Sequence, residues 1–232
     1  MKKKLAALFG LFVVVLAIVL VFNTLRLTSI QVDAQPTSDV PMNEIAAAER
    51  LAGALQIQTI SPEDPAGFDS LPFLQFHAYL EENFPNVHST LTWETVNEYS
   101  LLYRWEGSDP SLKPMALLAH IDVVPVEPGT EDTWTHGAYS GLIEDGFIWG
   151  RGALDMKNIL IASLEAAEML IVGGFQPRRT IYFAFGHDEE IGGQNGAVAI
   201  SALLESRGIR LDHVLDEGGA IADGLVPGID RL

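Results

Sequence analysis

The chain has 232 residues, enough for one sizeable domain or for one and an incomplete second. Nearly half are apolar, which excludes wholesale disorder, and the lack of cysteine excludes disulfides, thiolate metal sites and cysteine nucleophiles. The formal charge is −17, and four of the 14 basic residues (Lys2, Lys3, Lys4 and Arg26) lie in the first 27 positions, so the remaining body is strongly acidic and repels nucleic acid.

Lys2–Lys4 precede an unbroken apolar run, Leu5–Phe22. At about 1.5 Å per residue it makes roughly 27 Å of helix, close to the hydrocarbon thickness of a bilayer. Lysines before the run and a lone Arg26 after it place the N-terminus in the cytoplasm and the body outside it. Two fates fit residues 1–27: an uncleaved transmembrane anchor, favoured by the length of the run, or a signal peptide cut after Val32-Asp33-Ala34, before Gln35. Residues 28–42 are polar, carry prolines and read as a linker to a body over 43–232.

In the body, Asn43 can cap a helix from Glu44 to about Leu55. A second helix is expected over Leu71–Asn83, ending at Pro85. Ser89–Val96 and Tyr99–Trp105 alternate like the arms of a hairpin turned at Asn97-Glu98. Met115–Ala119 is a short apolar run, as for a strand buried on both faces. Asp145-Gly146 breaks Leu142–Trp149 into a second hairpin. A helix over Met156–Val172, a strand over Arg179–Gly186, a helix over Gly196–Ser206 and a strand over Leu211–Leu215 complete the order. Strands alternating with helices predict an α/β layer structure with a mostly parallel sheet.

Ligands of such sheets bind beyond the carboxyl ends of the strands. Acidic motifs follow three of the expected strands: His120-Ile121-Asp122, His187-Asp188-Glu189-Glu190 and Asp216-Glu217-Gly218-Gly219. A fourth, Gly152-Ala153-Leu154-Asp155-Met156-Lys157, opens a helix. An imidazole with several carboxylates is what a site for divalent cations needs. Asp122 can orient His120 while the other ring nitrogen binds a metal. Asp155 has two oxygens to bridge a pair of cations, although its place also suits a helix N-cap. Glu189 and Glu190 repel each other unless positive charge is near; one can ligate while its neighbour takes a proton. His77, His88, His136 and His213 read as surface or structural residues, and His187 as a support for the acid pair.

These segments resemble the M20 family of metallopeptidases and amidohydrolases, in particular its carboxypeptidase S and PM20D1-like branch. Leu118–Pro125, Gly150–Lys157, Gly186–Gly193 and Asp216–Gly219 carry the likeness, which spans roughly 44–226. The resemblance implies a zinc-exopeptidase-like catalytic domain with two Zn2+, Co2+ or Mn2+ being other candidates. It implies that His120 and Asp216 bind one metal, Glu190 the other, and Asp155 both, with Asp122 orienting His120 and Glu189 as general base. The implied reaction is hydrolysis of an amide bond next to a free carboxylate, in a small peptide or an N-acyl amino acid. Family members are longer, with an inserted lid or dimerisation domain and a late metal-binding histidine. The chain therefore reads as the N-terminal part of such an enzyme, the whole of it a candidate homodimer. The rival reading is a non-catalytic metal-binding or scaffold fragment. A lipoprotein is disfavoured, since no lipobox cysteine is present.

The anchor reading predicts that the mature protein keeps residues 1–34. An intact mass beginning at Gln35 would refute it.

Overall fold

The structure is a computed structural model that describes residues 2–26 and 42–218, and it divides into two compact units, Met1–Pro41 and Met42–Leu232. The first contains one helix, α1 (Lys2–Leu25), long and apolar enough to cross a membrane, with a mean hydropathy of 3.2 and no buried residue. The expected linker, apart from Met42, and the alternative cleavage site lie outside the described residues.

The second unit opens with α2 (Glu44–Gln56), whose first turn is capped by the Asn43 side chain accepting from Ala46 N–H at 3.2 Å. Helix α3 (Leu71–Asn83) buries Phe73, Phe76 and Leu80. Pro85 ends it and at once begins α4 (Pro85–Thr90), a six-residue helix where the sequence pattern predicted the start of a strand. The reason is tertiary. Glu168, 81 residues from Val87 in sequence, accepts the Asn86 and Val87 amides at 3.1 and 2.9 Å, satisfying groups that a helix start leaves bare.

Strands β1 (Thr92–Val96) and β2 (Ser100–Trp105) form the expected hairpin, with Asn97 and Glu98 both at positive φ in its three-residue turn, Asn97–Tyr99. They are followed by β3 (Met115–His120), a separate hairpin of β4 (Leu142–Glu144) and β5 (Phe147–Trp149), and α5 (Lys157–Val172). Then come β6 (Ile181–Gly186), α6 (Ala197–Ser206) and β7 (His213–Leu215).

The main sheet runs β1-β2-β6-β3-β7. Strand β3 is parallel to both β6 and β7, whereas β2 is antiparallel to β1 and β6. The sheet is therefore mixed, where the alternation of strands and helices predicted a mostly parallel one. A hairpin keeps its own antiparallel pairing wherever it docks, and this one docks on β6.

Strand alternation sends β6 side chains to two cores. Phe183 and Phe185 join Phe73, Phe76, Leu160 and Leu164, while Tyr182 and Ala184 join Leu102, Ile200 and Leu204. The register pairs His120 with Gly186, so β3 and β6 end together, and β7 ends close by with Leu215 opposite Leu117.

Leu160→Ala, which removes a fully buried α5 side chain, is expected to cost about 2–5 kcal/mol. A urea midpoint equal to that of the wild type would contradict this packing.

Candidate metal centre

His120 is the last residue of β3 and almost wholly buried. Its Nδ1 donates to the Asp122 carbonyl at 2.9 Å and lies 3.3 Å from Asp122 Oδ1. With Nδ1 held, Nε2 faces the carboxylates: Asp155 Oδ1 at 2.9 Å, Glu217 Oε1 at 3.5 Å and Glu189 Oε2 at 3.9 Å. Burial alone would lower the imidazole pKa, but Asp122 and Asp155 together raise it to about 9.

Asp122 is completely buried and clamps a second segment. The Glu189 amide donates to its Oδ1 and the Glu190 amide to its Oδ2, both at 3.1 Å. These two residues open a short 3-10 turn, Glu189–Ile191, that follows β6. Burial and the nearby Asp155 push the Glu190 carboxyl above the usual carboxylate range, and Glu217 is raised first by its own burial.

Asp155 does not cap α5, whose N-cap is Met156 with no side-chain bond. Its carboxylate, 64% exposed, turns to His120 instead. Two sets of donor atoms lie within 4.8 Å of one another: His120 with Asp155 and Glu190, and His120 with Glu189 and Glu217. Five of the expected side chains, His120, Asp122, Asp155, Glu189 and Glu190, thus come together. The sixth, Asp216, lies outside both sets. Its Oδ1 accepts the Glu217 amide at 2.9 Å, and both residues line a cavity of about 480 Å³ that also touches His120 and Glu189. Gly219 of the same motif lies outside the described residues.

An imidazole with three or four oxygen donors is a set that suits zinc, cobalt or manganese. So many carboxylates around one nearly buried ring repel each other, and a divalent cation relieves that repulsion. The residues present fit the expected metal.

Sequence reasoning named His187 as a support but gave Glu217, Asp188 and Ser100 no role. Glu217 stood beside Asp216 in the same motif. Buried Asp188 accepts the Asn195 amide at 2.7 Å and so ties the 3-10 turn to the start of α6. His187 is buried, with Nδ1 2.6 Å from Ser100 Oγ. His88 is structural, bonded to the Phe84 carbonyl and the Tyr103 hydroxyl. His77 bonds the Tyr99 carbonyl, and His213 is exposed.

Residues 116–229 match the model of peptidase family M20/M25/M40. "Probable carboxypeptidase S-like 2" of Dictyostelium discoideum is 44% identical over 210 residues, covering 87% of this chain and 40% of that protein. The bovine (Bos taurus) "N-fatty-acyl-amino acid synthase/hydrolase PM20D1" is 48% identical over 185 residues, 79% of this chain and 36% of that protein. Residues 116–229 thus carry an M20 match that the curated relatives extend over most of the chain. Its curated relatives lie in the carboxypeptidase S and PM20D1 branch, and the chain spans about two fifths of their length or less. Among solved structures, the M20 metallo-carboxypeptidase Sso-CP2 of Sulfolobus solfataricus superposes with a TM-score of 0.58 at 23% identity. It covers 75% of this chain and 38% of that one, a likeness of fold.

Asp122→Asn would set an amide NH2 against a backbone N–H that now meets a carboxylate oxygen. The expected loss is about 2 kcal/mol of stability. Urea unfolding measures it, and an unchanged midpoint would show that the clamp does not hold the turn.

Proposed function

We propose that this chain carries the metal-binding part of a hydrolase that cleaves an amide bond beside a free carboxylate, in a small peptide or an N-acyl amino acid. The observation that carries the reading is the convergence of His120, Asp155, Glu189 and Glu190 at the strand ends, with Asp122 buried beneath them. The names of its relatives, a fatty-acyl-amino acid synthase/hydrolase and carboxypeptidases, support the same bond class.

Two Zn2+ would be held by His120 and Asp216, by Glu190, and by Asp155 shared between them. Glu217 competes with Asp216 for the first position. When bound, such ions lower the pKa of water and polarise a carbonyl. The chain's own part is positional and protolytic. Asp122 fixes the ring of His120 and the turn that carries the two glutamates. Glu189, half exposed beside the cavity, takes a proton from the attacking water and returns it to the leaving nitrogen. Helix α1 would hold this body at a membrane, facing away from the cytoplasm, and the complete enzyme would be a homodimer.

Hydrolysis of dipeptides and N-acyl amino acids by the purified protein should vanish with a chelator and return with Zn2+. Glu189→Gln should keep its metal, measured by elemental analysis, and lose about 10²–10⁴-fold in turnover. Normal turnover in that variant would remove Glu189 from the mechanism. Comparing the metal content of Asp216→Asn and Glu217→Gln assigns the last ligand: the true ligand is the one whose loss empties a site.

A further inference from the structure

Lys157 is fully buried at the first turn of α5, two residues beyond Asp155, and the reaction above gives it no task. Its Nζ donates to the carbonyls of Ala54 at 3.0 Å and Ile57 at 2.7 Å. Both lie at the C-terminal end of α2, where carbonyls carry partial negative charge; each also accepts one backbone amide, from Ile57 at 3.4 Å and from Thr59 at 3.0 Å, so Lys157 supplies a second donor. Nζ also sits 4.8 Å from the centroid of the Phe76 ring. The stem of the side chain crosses Gly152, where an added Cβ would meet Lys157 Cδ at 3.4 Å and Val123 Cγ1 at 2.9 Å.

The segment leaving α2 runs directly against the metal centre's supports. Thr59 Oγ1 donates to the Ile121 carbonyl at 2.7 Å, and the Thr59 carbonyl accepts the Val123 amide at 2.9 Å. Ser61 N–H donates to the Val123 carbonyl at 3.2 Å, and its hydroxyl donates to the His187 carbonyl at 3.0 Å. One short brace therefore grips the residues around Asp122 and the residue two places before Glu189. Lys157 joins the third segment, that of Asp155, to the same brace.

We propose that Lys157 is a positioning residue of the metal centre, which seats the Asp155 turn by hydrogen-bonding the end of α2. The inference rests on the metal-binding reading above. Burial takes the Lys157 ammonium down to about 7, with Asp122 opposing. The role rests on donation instead, since an amine in either protonation state has hydrogens for both carbonyls.

The test is Zn2+ titration of the folded protein. Lys157→Met should lose at least about tenfold in Zn2+ affinity, as removal of an orienting partner does at metal sites. Leu160→Ala weakens the same helix without touching these bonds and should stay within about twofold of the wild type. The chain has no cysteine, so Lys157→Cys can be alkylated at a single sulfur with 2-bromoethylamine in denaturant and refolded. This restores a lysine-like amine, and with it the affinity of identically refolded wild type. Where Lys157→Met does not fold, Lys157→Gln, which keeps one donor, takes its place. Wild-type protein that binds no Zn2+ would overturn the metal reading itself. Wild-type affinity in the Lys157 variants, an equal loss in Leu160→Ala, or no recovery after alkylation would overturn the inference alone.

Discussion

A carboxylate with no access to water is costly unless its oxygens are met by donors, and Asp122 is such a carboxylate. Its two oxygens take the consecutive amides of Glu189 and Glu190, and its own backbone carbonyl takes Nδ1 of His120. Hydrogen bonds to a charged group contribute about 1.5–3 kcal/mol each, enough to offset much of the burial cost. The functional consequence is directional. Amides that point inward at Asp122 leave the glutamate side chains to reach back toward His120 and Asp155.

This clamp is possible only because of how the strands are ordered. Parallel pairing of β3 with β6 brings His120 opposite Gly186, so the loops that follow both strands leave from the same edge. Antiparallel pairing of β2 with β6 brings the beginning of β2 to that edge as well. Ser100 can therefore reach His187, and Asn97 in the hairpin turn donates to the Asn195 carbonyl at 2.9 Å. The mixed sheet thus gives the site a buttress that a purely parallel sheet would have to supply through a crossover connection.

The parts of the fold with a local cause were legible in the sequence. Asn43 capped its helix, Asn97-Glu98 and Asp145-Gly146 turned their hairpins, and the short apolar runs became β3 and β6. The meeting of His120 with Glu189 and Glu190 followed from their places at strand ends, whereas that of Asp155, at a helix start, followed from the family likeness. What escaped depends on distant partners. Helix α4 begins where Glu168 can receive its amides, and no window around Pro85 contains Glu168. Lys157 received no role of its own from the sequence, because lysine is seldom buried unless tertiary structure brings acceptors to it. The direction of β2 against β6 is likewise a contact between segments about 80 residues apart, invisible to periodicity.

Constraint within the site is uneven, and this bears on which acid of the last motif would bind the proposed metal. His120 could not move without breaking its bond to Asp122 and the end of the ladder with β6. Glu189 and Glu190 are held through their backbone. Asp216 and Glu217 follow β7, a strand of three exposed residues at the sheet's edge, paired to β3 over only three positions. An edge segment with so few bonds changes conformation at less cost than a clamped turn. Neighbouring residues of an extended chain project to opposite sides, so turning the chain over there exchanges one carboxylate for the other. The interior fixes where a cation would sit, and the edge strand leaves the choice of its last oxygen to the cation.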